Sequence, residues 1–342
     1  MKRRRLLLIN NFLRRGASYS TSAELAEQLA NRGWSVTCTS HYENKILRLA
    51  DMLLTCLRAR SRYDAANVAV FSGSAFLWAE MTTALLAALR KPVVLTLHGG
   101  NLPQFARRNP GRVRRLLARS HAVTAPSAYL AQQMAPYYDK IKIIPNALDL
   151  SRYPFRLRER ALPRLVWLRA FHEIYNPMLA PAVIARLQIE FPEITLRMIG
   201  PVKDGSLEKT LAVAEKLGVR DRITIIPGVP KDAVPAEISS GDIFLNTTNV
   251  DNQPVSVLEA MACGLCVVST NVGGLPYVVE DGVDGLLCAP NDAEAMIELV
   301  RQVLMDTALA ARISVNARVR AEQCGWATIL PQWEDIFQRV VT

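Results

Sequence analysis

The residues best suited to chemistry lie between Asn246 and Gly264, in the run Asn-Thr-Thr-Asn-Val-Asp-Asn-Gln-Pro-Val-Ser-Val-Leu-Glu-Ala-Met-Ala-Cys-Gly. An apolar stretch ends at Asn246, a turn follows, and Pro254 to Ser256 have the residue types of a helix start. The amides of a first helical turn have no partners inside the helix and are a ready site for phosphate. Asp251 precedes that turn and Glu259 falls on the second one. The two carboxylates would flank a bound anion without touching it, a spacing suited to hydroxyl groups on either side of a diphosphate. Cys263 and Cys266 form a CxxC, but no second Cys or His pair is near, so they read as small core hydrophobes and not as a zinc or redox site.

Short β-rich apolar runs alternate with helical patterns along most of the chain, which predicts βα units and parallel sheets. Strands are expected at 6–10, 36–39, 68–71, 93–97, 122–124 and 141–144, with helices at 22–31 and 76–89. The stretch 144–164, with Pro145, Pro154, Pro163 and a run of charges, reads as a linker. A second series follows: strands at 165–168, 196–199, 223–226, 243–246, 267–269 and 286–288, and helices at 178–190 and 255–263. After Asp292 the pattern is wholly helical through 293–305, 308–324 and a last segment around Trp326, Trp333 and Phe337. That tail is expected to pack across both domains. Two Rossmann-like bodies would enclose a cleft, and ligands of open α/β sheets bind beyond the carboxyl ends of the strands.

Composition supports this reading. At 342 residues the chain is long enough for two domains, and 50% hydrophobic residues exclude a disordered chain. Six dispersed cysteines fit a reducing compartment better than a disulfide framework. The start Met1-Lys2-Arg3-Arg4-Arg5 followed by Leu6 to Ile9 imitates a signal peptide, but Asn10 and Asn11 end its apolar run too early. No other run approaches the ~20 apolar residues that span a bilayer, so a cytoplasmic location is the default expectation. Charge is uneven. Residues 1–155 hold 23 Lys and Arg against 8 Asp and Glu, a net +15, whereas the rest is −5. Such a basic half suits an anionic partner: a membrane surface, a phosphorylated acceptor or nucleic acid.

The motifs carry a family resemblance. The chain resembles the retaining glycosyltransferases of family 4, which have two glutamates separated by seven intervening residues and followed by Ala-Met-Ala-x-Gly-x-Pro-Val-Val. Here Asp251 and Glu259 have that separation, followed by Ala260-Met261-Ala262-Cys263-Gly264-Leu265-Cys266-Val267-Val268. Gly273-Gly274 and Glu280-Asp281-Gly282-x-x-Gly285-Leu286-Leu287 match the family's next signature. His98-Gly99-Gly100 resembles its Thr-x-His-Gly, and Ile144-Pro145-Asn146-Ala147-x-Asp149 its Ile-Pro-Asn-Gly-x-Asp. Gly16 falls in its glycine-rich first loop.

The resemblance implies the GT-B fold: an α/β protein with two facing Rossmann-like domains (1–155 on the acceptor side, 156–324 on the nucleotide-sugar side), an interdomain cleft and a C-terminal helix (325–342) crossing back. It implies a metal-independent, retaining transfer of a hexose-type sugar from a UDP- or GDP-linked donor to a glycan or lipid-linked acceptor. That activity belongs to cell-envelope or polysaccharide biosynthesis and needs no cofactor beyond the donor. An Asp-x-Asp metal motif is absent from the sequence. By the same resemblance Glu259 holds the ribose hydroxyls, Asp251 the transferred sugar, Arg169 the diphosphate and His98 the sugar near its reacting carbon. Gly228 and Val229 line the base pocket, and Gly16, Val255 and Ser256 approach the donor.

Two departures from the family pattern stand out. Asp251 is one methylene shorter than the family's glutamate, so sugar contacts pass in part to Asn252, Gln253 and backbone amides. In Arg169-Ala-Phe-His-Glu-Ile-Tyr-Asn176-Pro, Asn176 stands near the family's lysine. The pattern resembles a subgroup with Asp-Asn-x-Pro-Val-Ser, and phosphate charge would then fall on Arg169 and helix amides, joined by His172 or Lys203. The densest cationic segment holds Arg107, Arg108, Arg112, Arg114, Arg115 and Arg119. A helix there could meet anionic lipid or the acceptor, or simply be a solvated face with its leucines in the core. Competing readings are a nucleotide-sugar epimerase of the same fold, an inactive nucleotide-sugar binder, and a nucleic-acid-binding protein. The last has no aromatic-basic interleaving behind it, so no specific nucleic-acid partner is expected.

Overall fold

The computed structural model describes residues 4–12 and 21–341. They form two compact units: the described parts of Met1–Ala147 with Trp326–Thr342, and Leu148–Gly325. The sequence reading put the boundary at 155. It falls earlier because Leu148 and Tyr153 are buried in a core of the second unit, where Leu148 N–H also donates to Cys324 O at 2.9 Å.

The first unit is built on a parallel sheet of β1 (Arg5–Ile9), β2 (Ser35–Thr39), β3 (Ala65–Val70), β4 (Val93–Leu97), β5 (Ala122–Ala125) and β6 (Ile141–Ile143). Among the described residues their order is β2-β1-β3-β4-β5-β6. Strands covered on both faces read as unbroken apolar runs, as Leu6 to Ile9 and Val93 to Leu97 nearly do. Side chains alternate between the faces. Leu7 and Ile9 join a core with Met52, Phe76, Leu86 and Leu116, while Leu6 and Leu8 join one with Leu29, Trp34, Trp333 and Phe337. The C-terminal helix Trp326–Val341 therefore completes the first unit, with Trp34 Nε1 donating to Glu334 at 3.1 Å.

The second unit repeats the plan with β7 (Arg164–Leu168), β8 (Thr195–Ile199), β9 (Ile223–Ile226), β10 (Ile243–Asn246), β11 (Cys266–Thr270) and β12 (Leu286–Cys288). Their order is β12-β11-β10-β7-β8-β9, all parallel. Chain order thus reverses between β7 and β10, the topological switch point of this sheet. The charged stretch read as a linker is fastened to this unit. Arg156, Arg158 and Arg164 converge on the buried carboxylate of Asp242, at 2.7, 3.2 and 2.7 Å. Arg158 is itself buried and also donates to the carbonyls of Gly241 and Cys263. Cys263 and Cys266 are buried free thiols, and burial pushes the Cys266 pKa up to about 12.

Candidate active site

At the switch point of the second sheet, Arg169 follows β7 and the loop 247–254 follows β10. The Arg169 guanidinium is ion-paired with Asp251 and lies over the Tyr175 ring, 4.3 Å from its centroid. Burial lowers the Arg169 pKa, and nearby Tyr175 and Glu259 pull it back up. Its Nε–H is buried with no hydrogen-bond partner. An orphaned buried donor is costly, so a ligand oxygen supplied here would be bound at a gain.

The loop is pinned by Gly273 and Gly274. A Cβ on Gly273 would lie 2.1 Å from Asp251 O, and one on Gly274 would lie 1.7 Å from Asn252 O. Gly274 N–H donates to Asp251 O at 3.2 Å, and Asn252 N–H to Asp251 Oδ1 at 2.9 Å. Asn252 is buried and Gln253 half-buried in the same loop.

Helix Val255–Ala262 starts directly after this loop. Pro254 is its N-cap, and no side chain caps its first turn. The amides of Val255 and Ser256 stand at the positive end of the helix dipole, beside a Ser256 Oγ that is buried and unpartnered. One turn further on, Glu259 is 7% exposed. Its Oε1 accepts from Tyr153 O–H at 2.7 Å. Arginine, helix start, orphaned hydroxyl and two carboxylates therefore belong to one unit and one end of one sheet. That constellation suits an anion flanked by hydroxyl-bearing groups.

The other expected residues lie as follows. Gly228 and Val229 occupy the loop after β9, where Val229 packs against the core shared with Glu259's helix. His172 is exposed; its Nδ1 accepts from Ile174 N–H at 3.1 Å and lies 3.7 Å from Asp204. Lys203 is exposed. Asn176 adopts a left-handed conformation with φ of 46° and donates to Asn291 Oδ1 at 3.0 Å, which makes it a turn residue here. Gly16 lies outside the described residues. Tyr153 and Tyr175 touch the candidate residues Glu259 and Arg169, and the motifs gave neither of them a role.

In the first unit His98 follows β4 and stacks on Phe71, with centroids 4.9 Å apart and an interplanar angle of 16°. Burial lowers its pKa to about 4, which keeps the imidazole neutral at physiological pH. His98 lines a small cavity of about 40 Å³ with Asn10, Asn67, Thr96 and Trp326. Phe71 instead lines a mostly apolar cavity of about 330 Å³ with Met52, Val68, Trp78 and Ala79. That cavity lies at the ends of β1 and β3, where the order of the first sheet reverses. The arginines of the cationic segment lie on helices Leu102–Arg108 and Pro110–Leu117 and just beyond them. Val113, Leu116 and Leu117 are in the core, and Arg112 is paired with Glu80.

Among the described residues no group of three or more His, Cys, Asp or Glu could hold a metal ion, and no helix is long and apolar enough to cross a membrane.

Residues 165–320 match the family model described as Glycosyl transferases group 1, and residues 19–152 match Glycosyltransferase Family 4. A D-inositol 3-phosphate glycosyltransferase of Streptomyces avermitilis is 25% identical over 281 residues, covering 76% of this chain and 60% of the relative. The chain thus spans less than two thirds of that relative's length. In fold the chain is similar to Anabaena Alr3699/HepE in complex with UDP, with a TM-score of 0.78, 18% identity and coverage of 98% and 100% of the two chains. It is also similar to sucrose-phosphate synthase from Thermosynechococcus elongatus, with a TM-score of 0.81, 17% identity and 99% of each chain covered. Residues 165–320 therefore match the group 1 glycosyl transferases and residues 19–152 the family 4 glycosyltransferases, and the chain has the α/β two-domain GT-B fold of these structures.

Proposed function

We propose that the protein transfers a hexose-type sugar from a nucleotide-diphosphate donor to a hydroxyl of a glycan or lipid-linked acceptor, with retention at the anomeric carbon and without a metal ion. The observation that carries this reading is the Arg169–Asp251 pair beside an uncapped helix start, one turn from the buried Glu259. Complexes of the similar HepE with UDP and UDP-glucose favour a uridine donor. Cell-envelope or polysaccharide biosynthesis, on the inner face of an anionic membrane, is the setting that fits such an acceptor.

In this mechanism Glu259, held by Tyr153, accepts from the ribose hydroxyls. The diphosphate sits against the Val255 and Ser256 amides and the Ser256 hydroxyl and draws the Arg169 guanidinium toward itself. Asp251 then accepts from a hydroxyl of the transferred sugar. The acceptor oxygen bonds to the anomeric carbon as the bond to the phosphate oxygen breaks, and the leaving diphosphate takes the acceptor's proton. Arg169 and the helix amides stabilise the charge that grows on the leaving group, an arrangement that is organised before the reaction begins. A neutral His98 can hydrogen-bond the sugar without opposing the positive charge that develops at its reacting carbon.

A panel of nucleotide sugars, assayed for binding and turnover with NMR of the product's anomeric configuration, tests this reading. One UDP- or GDP-sugar is expected to turn over with retention, and Glu259→Ala to lose nucleotide binding. Inversion, epimerisation of the donor alone, or absence of nucleotide binding would each overturn it.

A further inference from the structure

The outer face of helix Lys45–Arg58 is the largest feature that the donor site does not use. Its inner side carries Arg48, Met52 and Cys56, buried and four residues apart. Its outer side presents Ile46, Leu47, Leu54 and Leu57, which are 78, 52, 43 and 40% exposed. Exposed Ala50 fits between them, and the steps 47, 50, 54 and 57 follow one helix face. Asn44 caps the helix, its side chain accepting from Ile46 and Leu47 N–H at 2.9 and 3.2 Å. The stripe is therefore part of a well-formed helix.

Single exposed leucines are ordinary on protein surfaces, but a stripe of them calls for an occupant. The neighbouring helix Ser74–Ala88 packs against this one and adds Leu77 and Met81, 46 and 39% exposed. Charge indicates what the occupant is. Lys45, Arg58, Arg60 and Arg62 are exposed at the two ends of the stripe, with Glu43 the one exposed carboxylate between residues 42 and 62. The arginine-rich helices at 102–117 lack this combination, since their own apolar residues face the core.

We propose that helix Lys45–Arg58 lies in the surface plane of an anionic bilayer, with Ile46, Leu47, Leu54 and Leu57 among the acyl chains and Arg58, Arg60 and Arg62 at the headgroup phosphates. With 14 residues it lies on the membrane and does not cross it. The inner sides of the same two helices line the cavity of about 330 Å³, which gives the apolar part of a lipid-linked acceptor a place beside the bilayer. The surface deepens the reading of a membrane-associated acceptor given above.

The test is co-sedimentation of the full chain with vesicles of phosphatidylcholine, alone or mixed with phosphatidylglycerol. Wild-type protein is expected to bind the anionic vesicles. Leu47→Ser/Leu54→Ser/Leu57→Ser should weaken that binding by roughly tenfold or more per leucine withdrawn from lipid. Arg58→Ala/Arg60→Ala/Arg62→Ala should weaken it and flatten its dependence on salt. Arg107→Ala/Arg108→Ala/Arg115→Ala should leave it within about twofold, because that segment makes no insertion. Vesicle binding unaffected by the leucine changes, or lost only in the 107–115 variant, would overturn the proposal. So would light scattering that shows a dimer held together by these leucines. Thermal melting followed by circular dichroism reports that the first unit of each variant is folded, and UDP binding, measured on the same preparations, tests the donor reading separately, because vesicle binding does not depend on it.

Discussion

The hydrogen bond from Tyr153 to Glu259 fixes one carboxylate oxygen of the residue that the mechanism assigns to ribose. Tyr153→Phe keeps the ring and removes only the donor, so a buried acceptor loses about 1–1.5 kcal/mol of support. Nucleotide affinity measured by calorimetry should then fall about five- to tenfold, with little change in turnover once the donor is saturating. His98 makes a separate pH prediction. Its folded pKa of about 4 lies below the ordinary 6.5, so between those values the unfolded chain binds more protons than the folded one. Its stabilising contribution is complete above pH 6.5 and is lost as pH falls toward 4. The urea midpoint of the wild type should therefore drop further between pH 7 and 5 than that of His98→Gln, and equal drops would show that His98 titrates normally. Asp251 and Glu259 could be read from a strand end and a helix start in the sequence itself, whereas Arg169 entered only through the family resemblance. Tyr153 could not be read, since its partner is 106 residues away and it stands in a stretch whose prolines and charges imitate a linker.

Among the elements, the close approach of 273–274 to 251–252 sets the donor loop. Gly273 has a φ of 55° and no room for a Cβ, whereas Gly282 has a φ of 75° and nothing within 4 Å of one. Both positions charge alanine a left-handed backbone cost of about 1–2 kcal/mol, but only Gly273 adds a collision with the Asp251 carbonyl. Gly273→Ala is expected to abolish nucleotide binding while Gly282→Ala keeps it within about threefold, at a similar loss of thermal stability from the backbone term. Comparable nucleotide binding in the two variants would mean that the loop adjusts. The strands were legible for a simple reason: a sheet buried on both faces demands unbroken apolar runs, and those of β1, β4, β7 and β11 are hard to read otherwise. Helix Lys45–Arg58 was missed because it is apolar inside and outside, so adjacent pairs such as Ile46-Leu47 and Leu53-Leu54 blur the helical period. The charged stretch up to 164 read as a linker because the carboxylate its arginines neutralise, Asp242, lies 78 residues beyond Arg164.

For the molecule as a whole, the chain order has a direct consequence for stability. The second unit is a single stretch, Leu148–Gly325, whereas the first is assembled from the amino-terminal half and the last helix. Without that helix, Leu6, Leu8, Leu29 and Trp34 would lose the cover supplied by Ile329, Trp333 and Phe337. Phe337 is fully buried, stacks on Trp333 at 5.5 Å and meets Trp34 edge-on at 6.0 Å. Phe337→Ala should cost about 3–5 kcal/mol, because the cavity lies between a sheet and a helix that cannot both collapse onto it. A large part of a domain's net stability is lost at that cost, so the first unit should unfold at a markedly lower temperature. The nucleotide contacts proposed for Arg169, Ser256 and Glu259 lie within Leu148–Gly325, so UDP affinity below that transition is expected to stay within about twofold of wild type. A chain ending at Gly325 should aggregate through its uncovered first sheet while protease-resistant 148–325 still binds UDP. Loss of UDP binding by that resistant fragment would show that the donor site needs residues of the first unit, and the assignment of nucleotide recognition to Arg169, Ser256 and Glu259 alone would fail with it.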